Sequence, residues 1–210
     1  MKKTPFILLA LTFTFSNCKK ETTISLPTIT IGNQNWISKN LDVDTYRNGD
    51  EIPQVQDANL WDKLTTGAWC YYDNNSTNGT TYGKLYNWYA VNDSRGLAPK
   101  GYHIPTDAEW TILTDYLGGE SVAGTKMKST SGWQNNGNGN NTSGFAGLPG
   151  GLRDYPSARF IDIGGYAKWW SSSEDNSLSS MGRIIFYNSE GCNKNYWLKI
   201  NGFSVRCLKD

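Results

Sequence analysis

The sequence predicts an α+β domain in which two helices pack against small antiparallel sheets joined by long loops. The composition favours loops and sheet over a helical bundle, because the 210 residues include 22 glycines, nine tryptophans and twelve tyrosines. A capped amphipathic helix is predicted over residues 107–117, and an Asn-Gly pair predicts a hairpin in the C-terminal third. The net charge of +1, with no basic stripe, argues against a nucleic-acid-binding protein.

Residues 1–17 are typical of a signal peptide. Two lysines precede an apolar run, residues 6–15, that is too short to span a bilayer as a mature helix. Cys18 follows in a context that resembles a bacterial lipobox, which predicts its lipidation. Residues 18–27 would then form a tether of at most ~35 Å, and residues 28–210 the domain. The alternative is plain secretion with cleavage elsewhere, because the residues before Cys18 depart from the usual lipobox pattern.

A protein exported and lipidated in this way is expected at the outer membrane or cell surface of a Gram-negative type of bacterium. Its attachment would come from acyl chains rather than from charge. Whether the domain faces the periplasm or the outside stays open at this point.

The domain is predicted to begin with a hairpin. Residues 28–41, TITIGNQNWISKNL, are expected to form two strands joined by a turn at Gly32-Asn33. Residues 67–91 are aromatic and rich in turn formers, and Asn78-Gly79 is a loop signal within them.

The clearest helix start in the chain is the Thr-Asp-Ala-Glu capping box at residues 106–109. The Thr106 side chain can accept the backbone N–H of Glu109, whose carboxylate reaches back, and an apolar stripe follows over residues 110–117. The box gives the acids a structural task, so we expect His103, in the strand before it, to be structural. A metal site is not expected either, because the sequence has no second histidine and no nearby cysteine to complete one.

A second short helix is predicted from Ser121 to Met127. The Asn- and Gly-rich stretch that follows, residues 131–151, has too little apolar surface for regular structure and predicts a long surface loop. Long loops on compact domains often carry function, so this loop is a binding candidate.

The C-terminal third is predicted to be β. Strands are expected at residues 168–174 and 182–189, followed by a hairpin whose two-residue turn is Asn201-Gly202. This register would place Tyr196 opposite Cys207, with both side chains on the core face.

Several segments together carry a family resemblance. They are YGKLYNWYAVND (82–93), RGLAPKGYHIPTDAEWTILTDYLGG (95–119), SGFAGLPGGLRDY (143–155), WWSSSE (169–174) and NGFSVRC (201–207). In this order they closely resemble the Fibrobacter succinogenes major paralogous domain, whose members are mostly secreted proteins or lipoproteins without an established activity. HIPTDAEW and GFSVRC are also similar, more distantly, to the sulfatase-modifying (formylglycine-generating) enzymes. That similarity implies a variant of the C-type lectin-like fold, with two helices on small twisted antiparallel sheets and long loops forming a ligand-facing surface.

The resemblance implies a surface module that binds a glycan or a protein and is not an enzyme. Exposed aromatic side chains would stack on sugar faces or anchor an interface. The candidates for the ligand face are Arg153, Tyr155, Trp169 and Trp170, which flank the long loop in the sequence. No cofactor is expected; structural calcium stays open, but no motif supports it.

The alternative function is a thiol-dependent enzyme related to the sulfatase-modifying group, with Cys192 as the reactive thiol. The paired cysteines of that group are not matched, because Cys192 and Cys207 lie fifteen residues apart. An exposed Cys192 with a low pKa would favour this alternative, and a buried one would remove the nucleophile.

An exported protein meets an oxidising compartment, in which Cys70, Cys192 and Cys207 are available to pair. If its strand continues, Cys192 lies about 13 Å past the residue opposite Cys207, beyond the reach of a disulfide unless the chain folds back sharply. That pairing stays open. Cys70 and Cys207 both lie in stretches that match the family, so we expect a Cys70–Cys207 disulfide with Cys192 unpaired.

We predict that Cys18 is lipidated. Metabolic labelling with a fatty-acid analogue should tag the wild-type protein, and Cys18→Ala should abolish the label because the predicted attachment thiol is removed. Equal labelling of the two proteins would show that the anchor is assigned to the wrong residue.

Overall fold

The protein is described by a computed structural model over residues 26–210. The predicted signal peptide and Cys18 lie outside the described residues. The fold is mixed α+β, with short helices and three separate sheets in the described part of the chain. No helix in residues 26–210 is long and apolar enough to cross a membrane.

The helices are short and lie mostly between the strands of the N-terminal two thirds of the chain. They are α1 Ala58–Trp61, α2 Ser76–Tyr82, α3 Trp88–Val91, α4 Asp107–Tyr116 and α5 Glu120–Met127, with 3-10 turns at Tyr72–Asn74 and Gln134–Asn136. The strands are β1 Thr28–Ile31, β2 Gln34–Ile37, β3 Trp69–Cys70, β4 Leu85–Tyr86, β5 Tyr102–His103, β6 Gly150–Arg153, β7 Phe160–Ile163, β8 Tyr166–Glu174, β9 Ser179–Phe186, β10 Asn193–Leu198 and β11 Leu208–Lys209.

The three sheets have the strand orders β1-β2-β11-β5, β10-β9-β8-β6-β7 and β3-β4. All pairs of strands are antiparallel except β6 and β8, which pair in parallel at Gly151 and Ala167. The fold class predicted from the sequence, α+β with antiparallel sheets, is therefore confirmed at this level.

Two local predictions are confirmed in detail. β1 and β2 form the expected hairpin, in which Ile31 pairs with Gln34 across the Gly32-Asn33 turn. The capping box is present at the start of α4: the Glu109 N–H donates to the Thr106 hydroxyl at 3.3 Å, and the Thr106 N–H donates to the Glu109 carboxylate at 2.8 Å.

The predicted C-terminal hairpin is wrong. β10 pairs with β9 along its whole length, with Tyr196 opposite Met181 rather than Cys207. Residues 199–208 are all buried, including the polar ones. In a hairpin strand with one face in solvent, buried and exposed side chains would alternate. A segment that is covered on both faces forms backbone hydrogen bonds with several neighbouring parts of the fold. The residues on the two sides of Asn201-Gly202 therefore do not pair with each other as a hairpin.

That buried stretch, residues 201–208, is called here the central segment, and it connects all three sheets. Phe203 exchanges two hydrogen bonds with Tyr86 of β4, at 2.8 and 3.0 Å, and Gly202 exchanges two with Arg153 of β6, at 2.8 and 2.9 Å. Farther along, the Cys207 carbonyl accepts the N–H of Ile37 at 2.9 Å, and β11 completes the sheet that contains β2.

The Asn- and Gly-rich stretch is irregular, as predicted, but it is not a solvated arm. Residues 131–149 contain only the 3-10 turn Gln134–Asn136, yet Trp133 and Phe145 are buried in the core. The Trp133 indole N–H donates to the Gly147 carbonyl at 3.1 Å. Two aromatic anchors therefore hold a loop whose other residues are mostly polar.

The expected Cys70–Cys207 disulfide is not formed in the structure. Cys70, Cys192 and Cys207 are all free and buried, and each belongs to a different hydrophobic cluster. The prediction depended on a hairpin register that the structure does not contain. It also depended on the family resemblance of the two stretches, but the fold does not bring Cys70 and Cys207 together.

We predict that Thr106→Ala lowers the free energy of unfolding by about 1 kcal/mol, because the first turn of α4 loses its cap. Equilibrium unfolding in denaturant measures the change. Thr106→Ser retains the hydroxyl and should stay close to wild type. An unchanged Thr106→Ala protein would mean that the capping box contributes nothing to stability.

Candidate functional site

A groove with a volume of about 380 Å³ lies where five separate segments of the chain meet. It is called here the tyrosine groove. Its lining is Asp62, Lys63, Leu64, Thr65, Tyr89, Tyr155, Leu178, Leu198, Lys199 and Ile200. The size is within the range of small-molecule sites, and the mixture of rings, aliphatic groups and charges is typical of them.

Aromatic and aliphatic side chains reach solvent on the groove wall. Tyr155 is 41% exposed, Leu178 is 68% exposed and Leu198 is 39% exposed. Tyr196 lies two residues before Leu198 on the edge strand β10, so both side chains are on the same face of that strand. Exposed apolar groups gathered in one place indicate a contact surface, whereas single ones do not.

Only one of the two carboxylate oxygens of Asp62 has a hydrogen-bond partner in the fold. One carboxylate oxygen, Oδ2, accepts the backbone N–H of Ser157 at 2.7 Å. The other oxygen, Oδ1, is buried and has no hydrogen-bond partner in the protein. Most buried acceptors are satisfied by the protein or by ordered water, so an acceptor that the fold leaves unpaired is a candidate for a donor from water or a ligand.

The floor of the groove is rigid. The indole N–H of buried Trp61 donates to the carbonyl of Ile200 at 2.8 Å. Lys199 forms an ion pair with Glu174 and lies over the Trp88 ring at 4.8 Å. These contacts hold the end of α1 and the two residues before the central segment in place, so the groove is preformed.

Of the four residues predicted for the ligand face, only Tyr155 is exposed. Trp169 and Trp170 have no exposed surface, and Arg153 is 1% exposed. The Trp169 indole donates to the Asn40 side chain at 2.9 Å, and Trp170 stacks on Phe203 with ring centroids 4.3 Å apart. The structure therefore places these three side chains in the core rather than on a ligand-facing surface.

Arg153 nevertheless supports the groove from beneath. Its guanidinium donates to the carbonyls of Val55 at 2.7 Å, Gln56 at 2.8 Å and Ala158 at 3.1 Å, and it lies 4.5 Å from the centroid of the Trp61 ring. One buried cation thus ties the loop that contains Tyr155 to the chain before α1.

Sequence reasoning missed Asp62, Tyr89, Leu178 and Leu198. Their positions span more than a hundred residues, and no local pattern connects them. One signal was present: Leu178 is an isolated apolar residue in the polar turn between two predicted strands, where burial cannot explain it.

Comparison with protein-family models matches residues 29–209 to the Fibrobacter succinogenes major domain. The match covers nearly all of the described chain. The chain belongs to this family. Comparisons with curated proteins and with solved structures find no match. The similarity to sulfatase-modifying enzymes is therefore not established.

In this Fibrobacter succinogenes major domain the cysteines are poor nucleophiles. Burial raises the pKa of Cys70, Cys192 and Cys207 to about 12 in each case. The reactive form of cysteine is the thiolate, which a buried thiol of high pKa does not provide at neutral pH. Cys192 therefore lacks both the exposure and the low pKa that a thiol-dependent enzyme needs.

His103 lies in a second, separate pocket, between two carboxylates. Its Nε2 is 2.9 Å from Glu109 and its Nδ1 is 2.7 Å from Asp210. Burial lowers the pKa of His103, but the hydrogen bonds that the ring donates to Asp210 and Glu109 outweigh it and the net shift is upward. Both nitrogens donate only in the imidazolium form, so neither is free to remove a proton from a substrate.

No group of three or more His, Cys, Asp or Glu side chains that could hold a metal ion occurs within residues 26–210. The triad of His103, Glu109 and Asp210 is accounted for by its internal hydrogen bonds. It links β5, the start of α4 and the residue that follows β11.

We predict that this triad stabilises the fold most between about pH 4.5 and pH 6.5. Because the pKa of His103 is raised in the folded state, its contribution to stability is full below pH 6.5, the ordinary histidine pKa. The contribution is lost as the pH rises through the pKa of the folded state. Burial raises the pKa of Glu109, but hydrogen bonds from Thr106 and His103 lower it by more, so the net shift is downward. This lowered pKa gives stability that is full above pH 4.5 and is lost in acid.

Thermal unfolding of wild type and His103→Gln measures the effect. The difference in Tm should be largest near about pH 5.5 and should shrink in alkaline solution, since the neutral ring no longer pairs with two carboxylates. A difference that is constant with pH would contradict the charged state assigned to His103.

Proposed function

We propose that this chain is a non-enzymatic surface binding module that holds a glycan in the tyrosine groove. The observation that carries the proposal is the exposed Tyr155 ring close to an Asp62 oxygen that is buried and lacks a donor. A sugar offers what both groups need, because its C–H face stacks on an aromatic ring and its hydroxyls donate to carboxylates.

The remaining lining suits the same ligand. Tyr89 contributes a second ring, Thr65 and Lys63 contribute polar groups at the rim, and Leu178 gives an apolar face. The rigid floor formed by Trp61 and Lys199 means that little ordering entropy is lost on binding.

A protein ligand is the second candidate, and the 68% exposure of Leu178 with the neighbouring Leu198 favours it. An unpaired buried carboxylate oxygen is a poor feature for an apolar protein contact, because it stays unsatisfied unless a donor is placed on it. The glycan therefore fits the whole groove better than a protein does.

In the same proposal the domain is a variant of the C-type lectin-like fold, exported and anchored through Cys18 at the outer membrane or cell surface. The α+β architecture and the loops that meet at the groove support the lectin-like part. The lipobox-like sequence supports the anchor.

We predict that a glycan array probed with the purified exported protein identifies ligands that depend on the groove. Tyr155→Ala should weaken binding roughly tenfold by removing the stacking ring, as for a central aromatic contact residue. Asp62→Asn should also weaken it, because the charged acceptor is lost. Affinities are measured by calorimetry with the strongest ligand of the array.

Matched variants separate the site from general damage. Tyr155→Phe retains the ring and should bind nearly as wild type, and Tyr116→Ala removes a tyrosine that is 66% exposed and outside the groove. Unchanged glycan affinity in both Tyr155→Ala and Asp62→Asn would overturn the site. A protein captured through Leu178, with no glycan bound, would overturn the glycan in favour of the second candidate.

A further inference from the structure

A second cavity, with a volume of about 230 Å³, shares no residue with the tyrosine groove. It is called here the Arg206 cavity. Its lining is Ser38, Lys39, Asn40, Thr80, Thr81, Ser129, Ala146, Leu148 and Arg206. These residues come from the loop after β2, from α2, from the irregular stretch after α5 and from the central segment.

The floor of the cavity holds a buried cation without an anionic partner. Arg206 is 1% exposed, and within residues 26–210 no Asp or Glu forms an ion pair with it. Burial lowers the pKa of Arg206 to about 9, so it keeps its charge at neutral pH. Carbonyl oxygens and the Phe145 ring, whose centroid is 4.3 Å from the guanidinium, compensate the charge in part, and an anion would supply the opposite charge that is missing.

The hydrogen bonds of Arg206 leave one donor unused. Nε and one N–H of Nη2 share the Asn40 Oδ1, at 3.2 and 3.0 Å, and the two N–H groups of Nη1 meet the carbonyls of Ile37 at 3.2 Å and Phe145 at 2.8 Å. The second N–H of Nη2 has no partner among residues 26–210. Asn40 Oδ1 also accepts the Trp169 indole at 2.9 Å, so donors exceed acceptors here.

The rest of the lining adds positive charge and hydroxyls but no acid. Lys39 is exposed and has no ion pair in the described chain. The nearest acid along the sequence, Asp42, is held by Lys84 at 2.8 Å. The Thr81 hydroxyl makes no hydrogen bond within the described chain, and Ser38 already donates to a carbonyl, which leaves its lone pairs able to accept.

We propose that the Arg206 cavity binds the carboxylate of a hydroxylated acid the size of one sugar. The carboxylate would lie between the unused Nη2 N–H of Arg206 and the ammonium of Lys39, where its hydrogen bonds are charge-assisted. Hydroxyls of the ligand would meet Thr81 and Ser38, and its carbon skeleton would lie against Leu148. A volume of 230 Å³ is below that of drug-sized sites and suits a single ring.

Calorimetric titration of the purified exported protein with D-galacturonate, D-galactose and inorganic phosphate tests the site. Galacturonate should bind, with an affinity that falls as salt is added, because screening weakens an ionic contact. Galactose, which has the same ring but no carboxylate, should not bind. Equal binding of galactose, or preferential binding of phosphate, would overturn the sugar-acid proposal.

Lys39→Gln should weaken galacturonate binding about tenfold, the effect of losing one charge-assisted hydrogen bond. Lys209→Gln is the matched control, because it removes an exposed lysine that lines neither cavity and should leave the affinity unchanged. An unaffected Lys39→Gln protein would overturn the proposal. Lys39 is exposed, so folding of this variant is not at risk as it would be for a change at Arg206.

Tyr155→Ala separates this site from the proposed glycan site. Galacturonate binding should survive Tyr155→Ala with an unchanged affinity, even if the array ligand is lost. Should Tyr155→Ala abolish galacturonate binding while Lys39→Gln does not, the acid occupies the tyrosine groove and the Arg206 cavity is not its site.

Discussion

The structure depends on the burial of the central segment between three sheets. Residues 201–208 are covered on every side, and their backbone groups exchange hydrogen bonds with Tyr86, Arg153 and Ile37, each in a different part of the fold. None of the three sheets is large enough to bury a core of its own, and two of them have strands of only two residues. The central segment places Phe203, Val205 and Cys207 in one hydrophobic cluster and Leu208 in a second, and the Phe203 ring stacks on Trp170.

Buried cations compensate for the irregular chain that surrounds this core. A carbonyl outside a helix or sheet still needs a donor when it is buried, and one Lys or Arg provides several. Lys128 donates to the carbonyls of Phe186, Tyr187 and Ser189 at 3.2, 3.2 and 2.9 Å, and Arg153 serves three carbonyls in the same way. Arg206 differs, because it also lines a cavity and retains an unused donor. Hydrogen bonds from buried cations to carbonyl groups therefore anchor the loops, and one of these cations also forms the second candidate site.

Local patterns predicted the elements whose stabilising contacts are local. The capping box at residues 106–109 and the first hairpin depend on residues within a few positions of one another, and both occur as expected. Asn201-Gly202 and the Trp169-Trp170 pair were misassigned because burial on two faces is a tertiary property that no neighbouring residue encodes. The tyrosine groove was found only in part, through Tyr155, because its other residues converge from four segments far apart in the sequence.

The position of the central segment within the chain has a consequence for the order of folding. It is synthesised after the strands that it joins, so the ribosome must release more than two hundred residues before the last core contacts can form. Most of those contacts connect residues that are distant in sequence, a topology that folds slowly. Until then the contacts that Phe203, Val205 and Cys207 make in their hydrophobic cluster cannot form. The late placement of one buried segment thus leaves the contacts that join the three sheets to the end of folding.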